Sequence, residues 1–282
     1  MTARRSPTLR RRRLGAELRR RREAADLTIE QVATALRFSD SKISRIENGQ
    51  IGATPRDVRR MLEHYGVADD EQEGLVQVAR EAQQRPWWQA YGDKDIVPLA
   101  GLEAEAARID VYEASLVPGL LQTPRYAETV IGVLRPDFSP EQVERRVELR
   151  MARQSLLTRE NAPVFRAVLD EAILRRPVGD PEVMRQQLDH LVEAAALPAV
   201  TLQVIPFDAG AHPGIGGAFT IFEYSGPAEP DIVYLEHTTN DVYIESAAET
   251  SVSREAFGRL CAAARPPEES KALVAELLAS RR

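Results

Sequence analysis

Residues 37–50, RFSDSKISRIENGQ, gather side chains suited to one chemistry: hydrogen bonding to base edges and phosphates. Drawn as a helix, the segment turns Asp40, Ser41, Lys42, Ser44 and Arg45 outward, while Ile43 and Ile46, three apart, face a core. An arginine so placed forks onto O6 and N7 of guanine. Serine bonds to several base edges, and aspartate suits cytosine N4. These five are the candidate base contacts. Ser39, ahead of this helix, and Thr28, ahead of the preceding one, are candidate phosphate contacts, because a helix N-terminus offers free backbone N–H groups. Arg37, Asn48, Arg10, Arg13 and Arg20 complete that set.

Such side chains act only if other elements hold them. Leu14, Leu18 and Ala25 recur at helical spacing among arginine blocks and predict a first helix. Thr28 and Gln31 form a capping box that opens IEQVATAL, whose inward residues are Val32, Ala33 and Leu36. Ser39 caps the third helix and Gly49 suits its stop, where φ is often positive. Thr54-Pro55 starts a fourth helix lined inside by Val58, Met61, Leu62 and Tyr65, and Asp69 starts a fifth. Helix, tight turn, helix within about five helices is a helix-turn-helix, which offers DNA the first turns of its second helix.

Charge divides along the same line. Residues 1–60 carry 16 Lys and Arg against 7 Asp and Glu, whereas the other 222 residues balance at −15. A basic head on an acidic body fits a chain that meets a polyanion at one end. No apolar run approaches the ~20 residues of a membrane helix, and no apolar segment follows the basic start, so neither membrane nor secretion is expected. A lone Cys261 has no disulfide or zinc partner, which suits the cytoplasm.

The expected domains are 1–84, the helix-turn-helix bundle with 1–8 as a flexible basic arm; 85–98, a linker; and 99–282, a regulatory and dimerisation domain. In the last, helices are signalled at 101–114, after Thr123-Pro124, after Ser139-Pro140 with Gln142 boxing the cap, after Asp180-Pro181, and near 253–264 and 268–279. Strands are signalled at 164–169, 200–207, 218–224, 231–236 and 242–246. Four of these strands follow one another, so the fold class is an all-α bundle plus an α+β domain with a mostly antiparallel sheet carrying helices on one side.

LTIEQVATALRFSDSKISRIENGQ resembles the Xre-type, phage-repressor-like helix-turn-helix over about residues 10–66. The segments YEASLVPGLLQTPRYAETV, FRAVLDEAILRRPVG, VTLQVIPFDAGAHPG and GAFTIFEY resemble the companion domain of actinobacterial regulators of that type. The resemblance implies a transcriptional regulator of development or antibiotic production, often acting with a small partner protein encoded nearby. Two positions depart from the pattern. Arg37 stands where small residues are frequent, and Asp40 replaces a Gln, so base preferences do not carry over.

Other motifs carry less. GIGG at 214–217 lacks the strand–loop–helix context and the Lys-Ser/Thr of a phosphate loop, and reads as a turn. Asp170, Glu171, His212 and His237 have no ligand spacing, so no metal, no cofactor and no enzyme are expected. LVPGLLQTPRY reads first as a packed loop. Its alternative is one wall of a ligand or partner pocket made by Leu116, Leu120, Leu121, His212, Trp87, Trp88 and Tyr91. The expected function is sequence-specific binding of double-stranded DNA by a homodimer on an inverted repeat, controlled through the second domain by a small partner protein or an effector of unknown identity. The rival from another class is a protein-interaction module, antitoxin-like or scaffold, with incidental DNA contact.

Overall fold

Local capping signals account for every helix start in the N-terminal unit from Thr28 to Thr54. A computed structural model of the chain describes residues 9–83, 97–225, 230–236 and 241–281, without the side chains at 9, 10, 12, 13, 81–83, 97 and 98. The arm at 1–8, the linker with Trp87, Trp88 and Tyr91, His237, and the side chains of Arg10 and Arg13 therefore lie outside the described residues. The chain divides into two compact units, Met1–Leu102 and Glu103–Arg282.

The first unit contains α1 (Leu9–Ala24), α2 (Ile29–Leu36), α3 (Asp40–Glu47), α4 (Pro55–His64) and α5 (Asp69–Gln83). Leu14, Leu18, Val32, Leu36, Ile43, Ile46, Val58, Met61, Leu62 and Val76 meet in one core. Each contributes about 1.5–3 kcal/mol on burial. Thr28 and Ser39 accept from the N–H groups of Gln31 and Lys42, and Thr54 from that of Asp57, as the cap spacing predicts. Gly49 has φ 64°, the left-handed turn expected after α3.

Helix α6 (Val97–Glu105) runs across the boundary at Leu102, and the second unit continues with β1 (Arg108–Glu113), α7 (Pro124–Leu134), α8 (Pro140–Gln154), β2 (Val164–Asp170), α9 (Glu171–Arg175) and α10 (Pro181–Ala194). Then come β3 (Val200–Ile205), β4 (Phe219–Glu223), β5 (Ile232–Leu235), β6 (Val242–Ile244), α11 (Ala247–Ala263) and α12 (Pro267–Ala279). The strands form one sheet in the order β3-β2-β1-β4-β5-β6.

This corrects the expectation of a mostly antiparallel sheet. The sheet is mixed: β1–β2 and β2–β3 are parallel, while β1–β4, β4–β5 and β5–β6 are antiparallel. Helices α7 and α8, then α9 and α10, supply the long crossovers that parallel pairing requires. Residues 108–113, expected inside a helix at 101–114, are instead the strand between β2 and β4. Ile109, Asp110, Val111 and Tyr112 are all buried, so both faces of β1 are covered. On one face Tyr112, Val168 and Ile221 pack with Phe257 and Leu260 of α11. The open edge of β3 is met by the α11–α12 connection and the first turn of α12: Arg265 N–H donates to Val204 O, and Val204 N–H to Ser270 Oγ, each at 2.9 Å.

Candidate nucleic-acid interface

The turn between α2 and α3 is shaped by three residues. Thr28 Oγ1 accepts from Gln31 N–H at 3.2 Å and Gln31 Oε1 from Thr28 N–H at 2.8 Å, closing the capping box that orients α2. Arg37 ends α2 in the left-handed region, φ 57° and ψ 44°, a conformation that glycine adopts without a Cβ penalty. Ser39 Oγ then accepts from Lys42 N–H at 3.1 Å and starts α3. Both capping hydroxyls keep a proton to donate outward.

Ile43 and Ile46, 0% and 2% exposed, fix the rotation of α3. Asp40, Ser41 and Arg45 are exposed, and among the described residues their side chains have no partner. Arg37 is exposed and likewise unpartnered. Ser44 is half-buried, and the Asn48 amide turns back to donate to Ser44 O at 2.8 Å, serving as a C-terminal cap of α3. Lys42 differs from its neighbours. Its Nζ donates to Asp57 Oδ2 of α4 at 3.0 Å and sits 3.6 Å from the centre of the Phe38 ring.

Arginines 19–22 are all paired with carboxylates. Arg20, a candidate phosphate contact, makes two hydrogen bonds to Glu17, at 2.8 and 2.6 Å, which hold the Glu17 carboxyl below its ordinary range. Arg19 pairs with Glu23, and Arg21 with Glu17 and Glu71. Arg22 is bound to Glu47 at the end of α3, a link that the sequence reading missed. The same reading missed Gly15, where a Cβ would stand 2.4 Å from Ile46 O. Asp57, the partner of Lys42, was also overlooked. The one prior signal was the IENG ending, which places a glutamate where a solvated residue would serve.

In the second unit the segment LVPGLLQ is a packed loop. Leu120 and Leu121 are 4% and 0% exposed, and Leu116 is half-buried. Gln122 Nε2 donates to Val117 O at 2.6 Å, and Gln187 Nε2 to Leu121 O at 2.7 Å, satisfying carbonyls that the loop would otherwise bury unpaired. His212 Nδ1 accepts from Gly214 N–H at 3.2 Å, and its Nε2 lies 3.7 Å from Asp170 Oδ2, so the ring fastens the loop before β4. Among the described residues no group of three His, Cys, Asp or Glu is placed to hold a metal. None of their helices is long and apolar enough to cross a membrane.

Residues 13–75 match the family model described as a helix-turn-helix domain, which spans α2, the turn and α3. No curated protein and no solved structure matches the chain. A second model covers residues 97–276, well over half of the chain. The chain thus belongs to the family described as Domain of unknown function (DUF5753), with a helix-turn-helix domain ahead of it.

Proposed function

We propose that the protein is a sequence-specific DNA-binding transcriptional regulator of the Xre type found in actinobacteria. It works in the cytoplasm, and it is not an enzyme. The observation that carries this reading is the outward flank of α3, where Asp40, Ser41 and Arg45 stand exposed and, among the described residues, unpartnered, on a helix whose other side is locked by Ile43 and Ile46. Exposed polar groups without intramolecular partners are the ones free to exchange water for base edges. One helix reads only a few base pairs, too few to find a site in a genome. A homodimer on an inverted repeat, with recognition helices about one DNA turn (~34 Å) apart, meets that need. The second unit receives the controlling signal from a small partner protein or a ligand.

Genomic fragments retained by the purified protein, followed by gel shifts at rising salt, test the reading. Arg45→Ala is expected to lose ~1–3 kcal/mol of discrimination at one base position. An unchanged sequence preference overturns the assignment. A protein-interaction module is the second reading, favoured by the pairing of all four arginines at 19–22 with carboxylates, which spends charge that phosphates could use. A stoichiometric protein complex together with unselective DNA binding would decide for it.

A further inference from the structure

We propose that Asp57 is a positioning residue for base readout: it holds Lys42 against α4, withdraws that cation from the reading flank of α3, and leaves discrimination to Asp40, Ser41 and Arg45. The inference rests on the regulator reading and specifies which side chains of that same site read.

Lys42 is the third residue of α3, in the turn that projects furthest into a major groove. By position alone it belongs to the readers. Yet its ammonium is held twice, by Asp57 Oδ2 at 3.0 Å and by the face of Phe38 at 3.6 Å. The pair is partly sheltered, with the Asp57 side chain 16% exposed and that of Lys42 35%. Phe38 is itself held from its other neighbour, since the Arg60 guanidinium lies 5.1 Å from the ring centre while Arg60 Nη2 donates to Leu36 O at 2.7 Å. Lys42, Phe38, Asp57 and Arg60 thus tie the turn before α3 to α4.

The chemistry of lysine makes the withdrawal useful. An ammonium is a compact point charge without the planar fork of a guanidinium, so it binds any phosphate and distinguishes bases poorly. A free lysine in this turn would add affinity to every sequence alike and lower the ratio of specific to non-specific binding. Neutralised by Asp57, it contributes packing and no such attraction. Arg45, on the same flank, has no carboxylate partner among the described residues and keeps its fork for guanine.

The test uses the full-length chain and labelled duplexes of about two helical turns, one carrying a sequence selected from a random pool and one shuffled. Lys42→Met is expected to leave both the base preferences and the slope of log affinity against log salt as they are. Asp57→Asn keeps side-chain size and the Thr54 cap. It is expected to steepen the slope by ~0.9, which makes the affinity loss between ~50 and ~200 mM salt about 3.5-fold greater, and to bring the shuffled duplex closer to the selected one. Adding Lys42→Met to Asp57→Asn is expected to restore the wild-type slope. A purely structural role for Asp57 would move the melting midpoint but not the slope.

The proposal is overturned if Lys42→Met alone lowers the slope or erases a base preference, because Lys42 then already touches DNA. It is also overturned if Asp57→Asn leaves the slope unchanged, or if the double variant keeps the whole gain, which then belongs to the lost carboxylate. Those outcomes leave the regulator reading standing. A wild-type chain that binds no duplex removes that reading and this one together.

Discussion

The Arg22 guanidinium grips the Glu47 carboxylate with two hydrogen bonds, 2.7 and 2.9 Å, and both side chains are almost wholly out of water. The third arm of Arg22 donates to Leu27 O at 2.7 Å, so one residue of α1 holds the end of α3 and the approach to α2. The hydrogen bonds to Glu47 raise the Arg22 guanidinium above its ordinary value. Beside the pair, burial pushes the Tyr65 hydroxyl up, and among the described residues that hydroxyl has no hydrogen-bond partner. A second carboxylate, that of the exposed Glu23, lies 3.6 Å from Arg22 Nη2.

Breaking this pair from one side strands a buried charge. Arg22→Met is expected to lower the stability of the helix-turn-helix unit by ~3–5 kcal/mol, whereas Arg22→Met with Glu47→Leu should recover most of the loss. Urea unfolding followed by far-ultraviolet circular dichroism measures both. Equal losses in the single and double variants would show that the two side chains act through packing rather than through charge.

Gly15 gives a second handle on the same junction. In an ordinary helix interior, alanine is better than glycine by roughly 0.5–1 kcal/mol. Here a Cβ would meet Ile46 O at 2.4 Å and Glu47 O at 2.6 Å, and these are backbone atoms at the end of α3. Gly15→Ala is therefore expected to destabilise by ~1–3 kcal/mol, the opposite of the helical trend. A melting midpoint equal to or above wild type would mean that α1 and α3 can move apart.

These contacts also show where sequence reasoning reaches and where it stops. Caps at Thr28, Ser39 and Ser139 were legible because donor and acceptor lie three residues apart and the geometry is local. The strands at 164–170, 200–205 and 219–223 were legible from β-branched runs bounded by turn residues. The strand at 108–113 was not, because an alanine-rich helix runs almost into it and RIDVYE alone does not show which way the pattern turns. Strand order was out of reach, since β1 and β2 pair in parallel across two intervening helices. The partners of Arg22 and Lys42 lie 25 and 15 residues away, and in sequence both cations look like solvated charge.

Arg37 sets stability against binding. Its left-handed backbone, φ 57°, costs an L-residue with a side chain about 1 kcal/mol. Arg37→Gly removes that strain and is expected to raise stability by ~0.5–1 kcal/mol. As a phosphate contact, Arg37 should take ~0.9 from the salt slope when lost. A variant that is more stable but binds with an unchanged slope would reduce the side chain to a solvated bystander.

The last prediction concerns pH and the second unit. Glu113 closes β1, and burial, reinforced by the Glu236 carboxylate and offset in part by a backbone hydrogen bond at Ala114, pushes its carboxyl up to about 8. The folded value lies above the ordinary 4.5, so the folded chain binds this proton more tightly than the unfolded chain does. Its contribution is fully present below about pH 4.5 and is lost as pH rises through about 8. Carboxyls held low by partners, such as Glu171 beside the Phe207 N–H and Arg175, act in the opposite sense and only on the acid side, so they do not mask it. Unfolding of the second unit is expected to become easier by a few kcal/mol across that interval. Glu113→Gln, which keeps the shape of the protonated form, should flatten the dependence and leave the variant more stable than wild type at alkaline pH. Melting midpoints followed from about pH 5 to about pH 9 check it, and parallel curves for the two proteins would remove Glu113 as the source.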